Sequence, residues 1–271
     1  MEGRSKSKVK CKFGTIADPT LFACSNMRAP EKSPPGLRLP YLTPWALKMG
    51  KWANRNCLWC VPTREKVVAL TFDDGPSLRH MPALLEALRK HRMHATFFVL
   101  GNRIDDTPDG QRRRTLLEEA VRDGHEIALH GDTHDSLLKT PDAEIQTGVE
   151  RLRARLQGLP VSRFYRPPFG HINARVAGAL ASIGCTAVNA SILPGDSFLP
   201  KGWEESPERS TRRILRELHP GAIICLHIGE DLGIDDAVYP SPHASEIVER
   251  LAPELARRGY RTATLSEFSG R

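Results

Sequence analysis

The sequence predicts an α/β fold built on a mainly parallel sheet, and three observations carry that reading. Short apolar runs alternate with amphipathic stretches from residue 67 onward, the pattern that strand–helix–strand units produce. Glycines stand where helices should stop, Gly124 and Gly184 among them. Polar, ionisable residues follow five of the strand-like runs, as they do where catalytic groups gather at the C-terminal rim of a parallel sheet.

The elements follow in order. Residues 67–72 (VVALTF) read as a buried strand, and residues 79–92 then set Met81, Leu84, Leu85 and Leu88 on one helical face. Residues 95–100 (ATFFVL) form the next strand, closed by Gly101. Leu116, Leu117, Ala120 and Val121 make a second helical stripe, followed by a strand at 126–129. A helix over 141–157 carries Ile145, Val149, Leu152 and Leu156, and Phe164 and Tyr165 make the next apolar stretch. Asn173 has the side chain to cap a helix running through Ile183. Residues 185–188 are strand-like, 208–218 and 243–258 are helical, and 222–226 and 260–265 complete the strands. About seven strands suit either a closed barrel or an open doubly wound sheet.

Composition narrows the class. Among 271 residues, 26% are charged and 40% hydrophobic, which is ordinary for a soluble globular protein. No apolar run is long enough to span a bilayer, and six cysteines are too sparse for a disulfide scaffold. The net charge of +7 is unevenly placed: residues 1–64 hold twelve Lys and Arg against Glu2, Asp18 and Glu31. That shift predicts two parts, a basic and partly disordered N-terminal extension over 1–64 and a catalytic domain over 65–271.

The first residues are basic but lack the apolar run of a secretory signal, so a cytoplasmic location is the default expectation. Residues 41–60 interleave Trp45, Leu47, Met49 and Trp52 with Lys48, Lys51 and Arg55. One reading is peripheral contact with an anionic membrane; the preferred one is a short helix packed on the main domain. No fold or motif supports nucleic-acid binding by this segment. Cys57 and Cys60 have the spacing of a redox or zinc pair, without the second pair or the strand–helix context that either role requires.

The chemistry lies at the strand ends. Asp73 and Asp74 follow the first strand, His130 and His134 the third, Arg166 the Phe164–Tyr165 stretch, Asp196 the strand at 185–188, and His227 the apolar run at 222–226. Taken alone, DDGP is an ordinary turn, and two histidines four apart are more often not a metal site. Combined, Asp74, His130 and His134 offer two nitrogens and one oxygen with open positions, the donor set of a hydrolytic zinc centre. Asp73 cannot easily reach the same ion, because adjacent side chains diverge, and is free to act as a base. Arg166 would keep it ionised and oriented. His227 is either a core histidine or a proton donor, and a carboxylate such as Asp196 beside it would hold it protonated. His80, His91, His94 and His125 fall on helix or turn segments and read as structural or solvated.

TFDDGP at 71–76, HATFFVLGN at 94–102, GHEI at 124–127, the pair His130 and His134, RPPFG at 166–170 and Leu226–His227 occur in one order. In that order they resemble the motifs of the polysaccharide deacetylases, the NodB-homology group of family four carbohydrate esterases. The resemblance spans about residues 65–268 and implies a distorted (β/α) barrel of about seven parallel strands holding one divalent metal ion, expected to be zinc. It implies that Asp74, His130 and His134 are the ligands, Asp73 the base, Arg166 its orienting partner and His227 the acid supported by Asp196. It also implies that the Phe169 backbone N–H stabilises the oxyanion.

The implied reaction removes N-linked acetyl groups from an acetylated amino-sugar glycan such as chitin, chitooligosaccharide or peptidoglycan; the alternative is hydrolysis of a small non-sugar amide on the same fold. By the same resemblance the site would work outside the cytoplasm. Two departures bear on substrate choice: Gly131 stands where many members carry Ser or Thr, and residues 189–198 lack tryptophan.

Overall fold

The computed structural model describes residues 56–196, 206–228 and 243–269. The amphipathic stretch expected over 41–60 therefore lies outside the described residues, except for its last five positions, and so does the expected disorder before it.

Among the described residues, eight strands form one parallel sheet: β1 (Cys57–Leu58), β2 (Val67–Gly75), β3 (Ala95–Leu100), β4 (Glu126–Gly131), β5 (Val161–Tyr165), β6 (Thr186–Val188), β7 (Ile223–His227) and β8 (Arg261–Thr262). Their order is β1-β6-β5-β4-β3-β2-β7, with β8 added beside the start of β2. The seven strands of this path curl into a half-barrel, and its open side is stitched by a bridge from Ile192, just past β6, to Ile224 of β7. The edge strand β1 pairs with β6 and lies ahead of the compositional boundary near residue 64. Cys57 is a free thiol, and burial pushes it up to about 12.

Among the described residues, six α-helices lie between strands, α1 (Met81–Lys90), α2 (Pro108–Arg122), α3 (Asp142–Arg155), α4 (Ala174–Ser182), α5 (Pro207–Glu217) and α6 (Ala244–Arg257), and α7 (Leu265–Phe268) follows the last strand. Their starts are written in the sequence. The side chains of Thr107, Asn173 and Ser206 accept hydrogen bonds from backbone N–H groups in the first turns of α2, α4 and α5. The expected strand at 260–265 is cut short by the same logic. Thr264 and Glu267 form a reciprocal capping box, so the chain turns into α7 after only two strand residues.

Strand alternation divides the side chains into two sets. Leu70, Phe72, Phe97, Val99, Ile127, Leu129, Ile224 and Leu226 join the core that also contains the helix residues Met81, Leu84, Leu85, Val149 and Leu251. Ala69, Phe98, Ala128, Phe164, Val188, Ile223 and Cys225 form a second cluster on the concave side, closed by Leu265 of α7. The period of two then decides what comes next. Two residues beyond Phe164, Ala128 and Cys225 stand Arg166, His130 and His227, and four beyond Ala69 stands Asp73. The concave interior is thus apolar below and ionisable at the C-terminal rim. Among the described residues, no helix is long and apolar enough to cross a membrane.

Candidate metal centre and active site

β2 delivers two consecutive aspartates to different places. Asp73 is still in regular register opposite His227 of β7. Asp74 adopts φ +68, a left-handed conformation rare outside glycine, and the pairing with β3 shifts between Phe72 and Gly75. This break sends the two carboxylates apart, and each meets its own partners.

Asp74 Oδ1 lies 3.2 Å from His130 Nε2 and 3.3 Å from His134 Nε2. All three side chains are buried, and one donor atom from each lies within 4.8 Å of the others. His130 Nδ1 donates to the Arg166 carbonyl at 2.7 Å, which leaves Nε2 as the free lone pair facing Asp74. Asp74 Oδ1 is buried without a hydrogen-bond donor. An anionic oxygen buried between two imidazole nitrogens calls for positive charge at that point. The residues therefore fit a divalent metal ion: one carboxylate and two imidazoles, a three-ligand set of the kind that leaves a coordination position open.

Charge balance agrees. Burial opposes ionisation of His130, but Asp73 and Asp74 outweigh it and raise the imidazole above its ordinary value. Burial pushes His134 down to about 4, so it stays neutral. Burial would raise the Asp74 carboxyl, yet His130, His227 and His134 together hold it well below the usual carboxylate range.

Asp73 belongs to a separate network. Arg166 Nη1 donates to Asp73 Oδ1 at 2.6 Å and to Thr71 Oγ1 at 2.8 Å, while Nη2 donates to the Asn189 carbonyl at 3.2 Å. The guanidinium is buried over the Phe98 ring, 4.1 Å from its centroid, and Asp73 keeps it charged despite its burial. The other Asp73 oxygen, Oδ2, accepts from the Cys225 thiol at 3.3 Å. On the far side, Asp196 Oδ1 lies 3.1 Å from His227 Nδ1, and Asp196 Oδ2 accepts from the His227 backbone N–H at 2.7 Å. Burial disfavours the His227 imidazolium, but the Asp196 charge prevails and raises it well above the ordinary range.

Phe169 closes the rim. It sits in a short 3-10 turn with φ +60, a costly conformation for an aromatic residue, and its ring packs edge-on to His134 at 4.4 Å. The Asn189 amide donates to the Gly170 carbonyl at 3.1 Å and so fixes this turn beside Arg166. Gly131 also has a reason to be glycine. Its φ is +130, and a Cβ there would stand 2.6 Å from the Thr133 carbonyl oxygen and 3.3 Å from Tyr165 Oη.

All eight residues singled out from the sequence therefore sit at one rim, in three contact groups: Asp74 with His130, His134 and Phe169; Asp73 with Arg166; and His227 with Asp196. Of the other described histidines, His171 reaches this rim, its ring 5.3 Å from that of Phe169, while His91, His94 and His125 fall elsewhere. His94 and His125 meet each other near Phe97, and His91 pairs with Glu249. Thr71, Asn189 and Cys225 were missed as site residues. Asn189 directly follows β6 and could have been found by the strand-end rule, and Cys225 by its parity with His227.

Comparison with known proteins bears on the family and the fold. The family model described as polysaccharide deacetylase matches residues 61–188. A chitooligosaccharide deacetylase of Bradyrhizobium sp. (strain ANU 289) is 33% identical over 209 residues, covering 74% of this chain and 90% of that protein. A peptidoglycan-N-acetylglucosamine deacetylase of Bacillus cereus is 29% identical over 212 residues, covering 78% and 91%. Among solved structures, the Bc1960 peptidoglycan N-acetylglucosamine deacetylase superposes with a TM-score of 0.67 at 25% identity, over 80% of this chain and 95% of that one. Bacillus subtilis PdaA, a family 4 carbohydrate esterase, matches the fold with a TM-score of 0.67 at 22% identity, over 82% and 88%.

Proposed function

Because the chain belongs to the polysaccharide deacetylase family, the NodB-homology group of family four carbohydrate esterases, we propose that it hydrolyses the N-acetyl groups of an amino-sugar glycan, with N-acetylglucosamine oligomers or peptidoglycan as the substrate class. Acetate leaves and a free amine stays on the sugar. The observation that carries the reading is the buried, donor-less Asp74 Oδ1 between two imidazoles, beside an aspartate held by a buried arginine.

In this reading Asp74, His130 and His134 hold one zinc ion, which when bound supplies Lewis-acid polarisation of the acetamide carbonyl and of the attacking water. Asp73 takes the proton from that water. Its role requires a carboxylate fixed in place, and the Arg166 hydrogen bond at 2.6 Å fixes it. The Phe169 backbone N–H donates to the oxyanion as the carbonyl carbon becomes tetrahedral; a donor so placed is worth about 3–4 kcal/mol in the transition state. His227 then gives its proton to the departing nitrogen, which is too basic to leave as an anion. Asp196 keeps that proton in place through Nδ1 and leaves Nε2 toward the reaction.

The test is acetate release by the purified, zinc-loaded chain. We expect turnover of N-acetylglucosamine oligomers or peptidoglycan well above that of small N-acetyl amides. Turnover of small amides alone would replace the glycan by the simpler substrate, and no acetate from any of them would overturn the reading.

A further inference from the structure

A second cluster of metal-binding side chains lies beside the first. Asp73, Cys225 and His227 project into the concave interior from β2 and β7, whose register pairs Thr71 with Cys225 and Asp73 with His227. Cys225 Sγ stands 3.3 Å from Asp73 Oδ2 and 3.9 Å from His227 Nε2. One donor atom from each residue lies within 4.8 Å of the other two.

These spacings have a chemical meaning. A tetrahedral zinc ion bound at about 2.3 Å to sulfur and about 2.1 Å to nitrogen and oxygen keeps its donors about 3.4–3.6 Å apart. The Sγ separations of 3.3 and 3.9 Å bracket that value. Both other donors are also aimed. Arg166 occupies Asp73 Oδ1 and leaves Oδ2 toward the thiol; Asp196 occupies His227 Nδ1 and leaves Nε2 toward the same point. Outer partners that fix the free lone pair in this way are what metal ligands require.

We infer that Asp73, Cys225 and His227 form a second, inhibitory site for a thiophilic divalent cation such as zinc, cadmium or cobalt. The inhibition rests on the roles proposed above for Asp73 and His227, since an ion there occupies the oxygen that takes a proton and the nitrogen that gives one. Binding is a ligand exchange without redox change: the thiol S–H proton, and any proton on His227 Nε2, leave to solvent as the sulfur–metal and nitrogen–metal bonds form. Three features make this the weaker site. The thiol must lose its proton in a buried setting, Arg166 adds positive charge nearby, and an ion at Asp74 lies next to it along the chain. It fills only in excess metal.

The test titrates the full chain with cobalt(II) and follows thiolate-to-cobalt charge-transfer absorption, with Cys225→Ser and Cys225→Ala in parallel. The first equivalent should give no thiolate band. Further cobalt should bring the band in together with loss of acetate release. Both variants should lack that band, and each should need about tenfold more zinc, or above, to lose half of its own starting rate. No band in the wild type, a band that both variants retain, or a band that leaves activity untouched would each overturn the site. The absorbance does not depend on turnover, so it decides the site even if no glycan is deacetylated.

Discussion

Two carboxylates are buried at opposite ends of the half-barrel. Glu126, at the start of β4, accepts hydrogen bonds from Thr96 Oγ1 at 2.8 Å, from the Ser266 backbone N–H at 3.2 Å and from the Ser266 hydroxyl. Every one of these donors belongs to the chain, and together they fasten α7 across the bottom of the sheet. Asp74, at the end of β2, is as deeply buried but has an oxygen with no donor and two imidazole nitrogens facing it. A buried charge that the protein satisfies completely is a fastening; one that it leaves short beside further ligands is built for something added. The GHEI motif contains the first kind and DDGP the second, and sequence spacing alone does not separate them.

The comparison can be broken from the top downward. The largest effect belongs to His130→Ala, which should abolish metal binding and bring acetate release to background, as read by elemental analysis beside the activity assay. Asp73→Asn comes next, with activity reduced by about 10²–10⁴-fold, the usual worth of a positioned base, while the bound metal remains near the wild-type level. Loss of the metal in this variant would mean that Asp73 is a ligand and that the two aspartates do not have separate tasks.

A smaller effect is expected from Asp196→Asn. The Asp196 charge raises His227 against the cost of burial, so without it burial prevails and the imidazolium gives up its proton at lower pH. A general acid must be protonated, so the high-pH limb of kcat/KM should move to lower pH. The rate at neutral pH should drop by about tenfold, part of what a general acid supplies. An unmoved limb would detach Asp196 from the proton donor. The smallest catalytic effect belongs to Glu126→Gln: metal content and kcat should stay at wild-type values while stability falls by about 1–3 kcal/mol in a urea titration. A loss of metal there would erase the distinction between the two ends.

Much of this arrangement was legible before the coordinates, because one physical rule generated it. Functional groups of a parallel sheet gather just past the C-terminal ends of its strands; that rule pointed to Arg166, His130 and His227, and side-chain alternation explains why they face inward. The helix start at Asn173 was read from a side chain able to satisfy exposed N–H groups, and the starts at Thr107 and Ser206 prove to use the same device. The hidden parts were hidden for equally definite reasons. β1 has two residues, too few for any period to register. The end of β8 depended on Thr264 and Glu267 acting together over an apolar Leu265. The Asp196–His227 pair was named from the strand-end rule and the family resemblance, not from spacing, because the two residues meet across 31 residues of chain. Cys225 was concealed by its apolar neighbours, since a small thiol in such a run reads as packing.

The most direct test is anomalous diffraction from crystals of the full chain loaded with one equivalent of zinc, collected at the zinc edge. The account predicts a single peak within bonding distance of the Asp74 carboxylate and of His130 and His134, with Asp73 still held by Arg166 and outside the coordination sphere. A peak elsewhere, or one that includes Asp73 among its ligands, would contradict it.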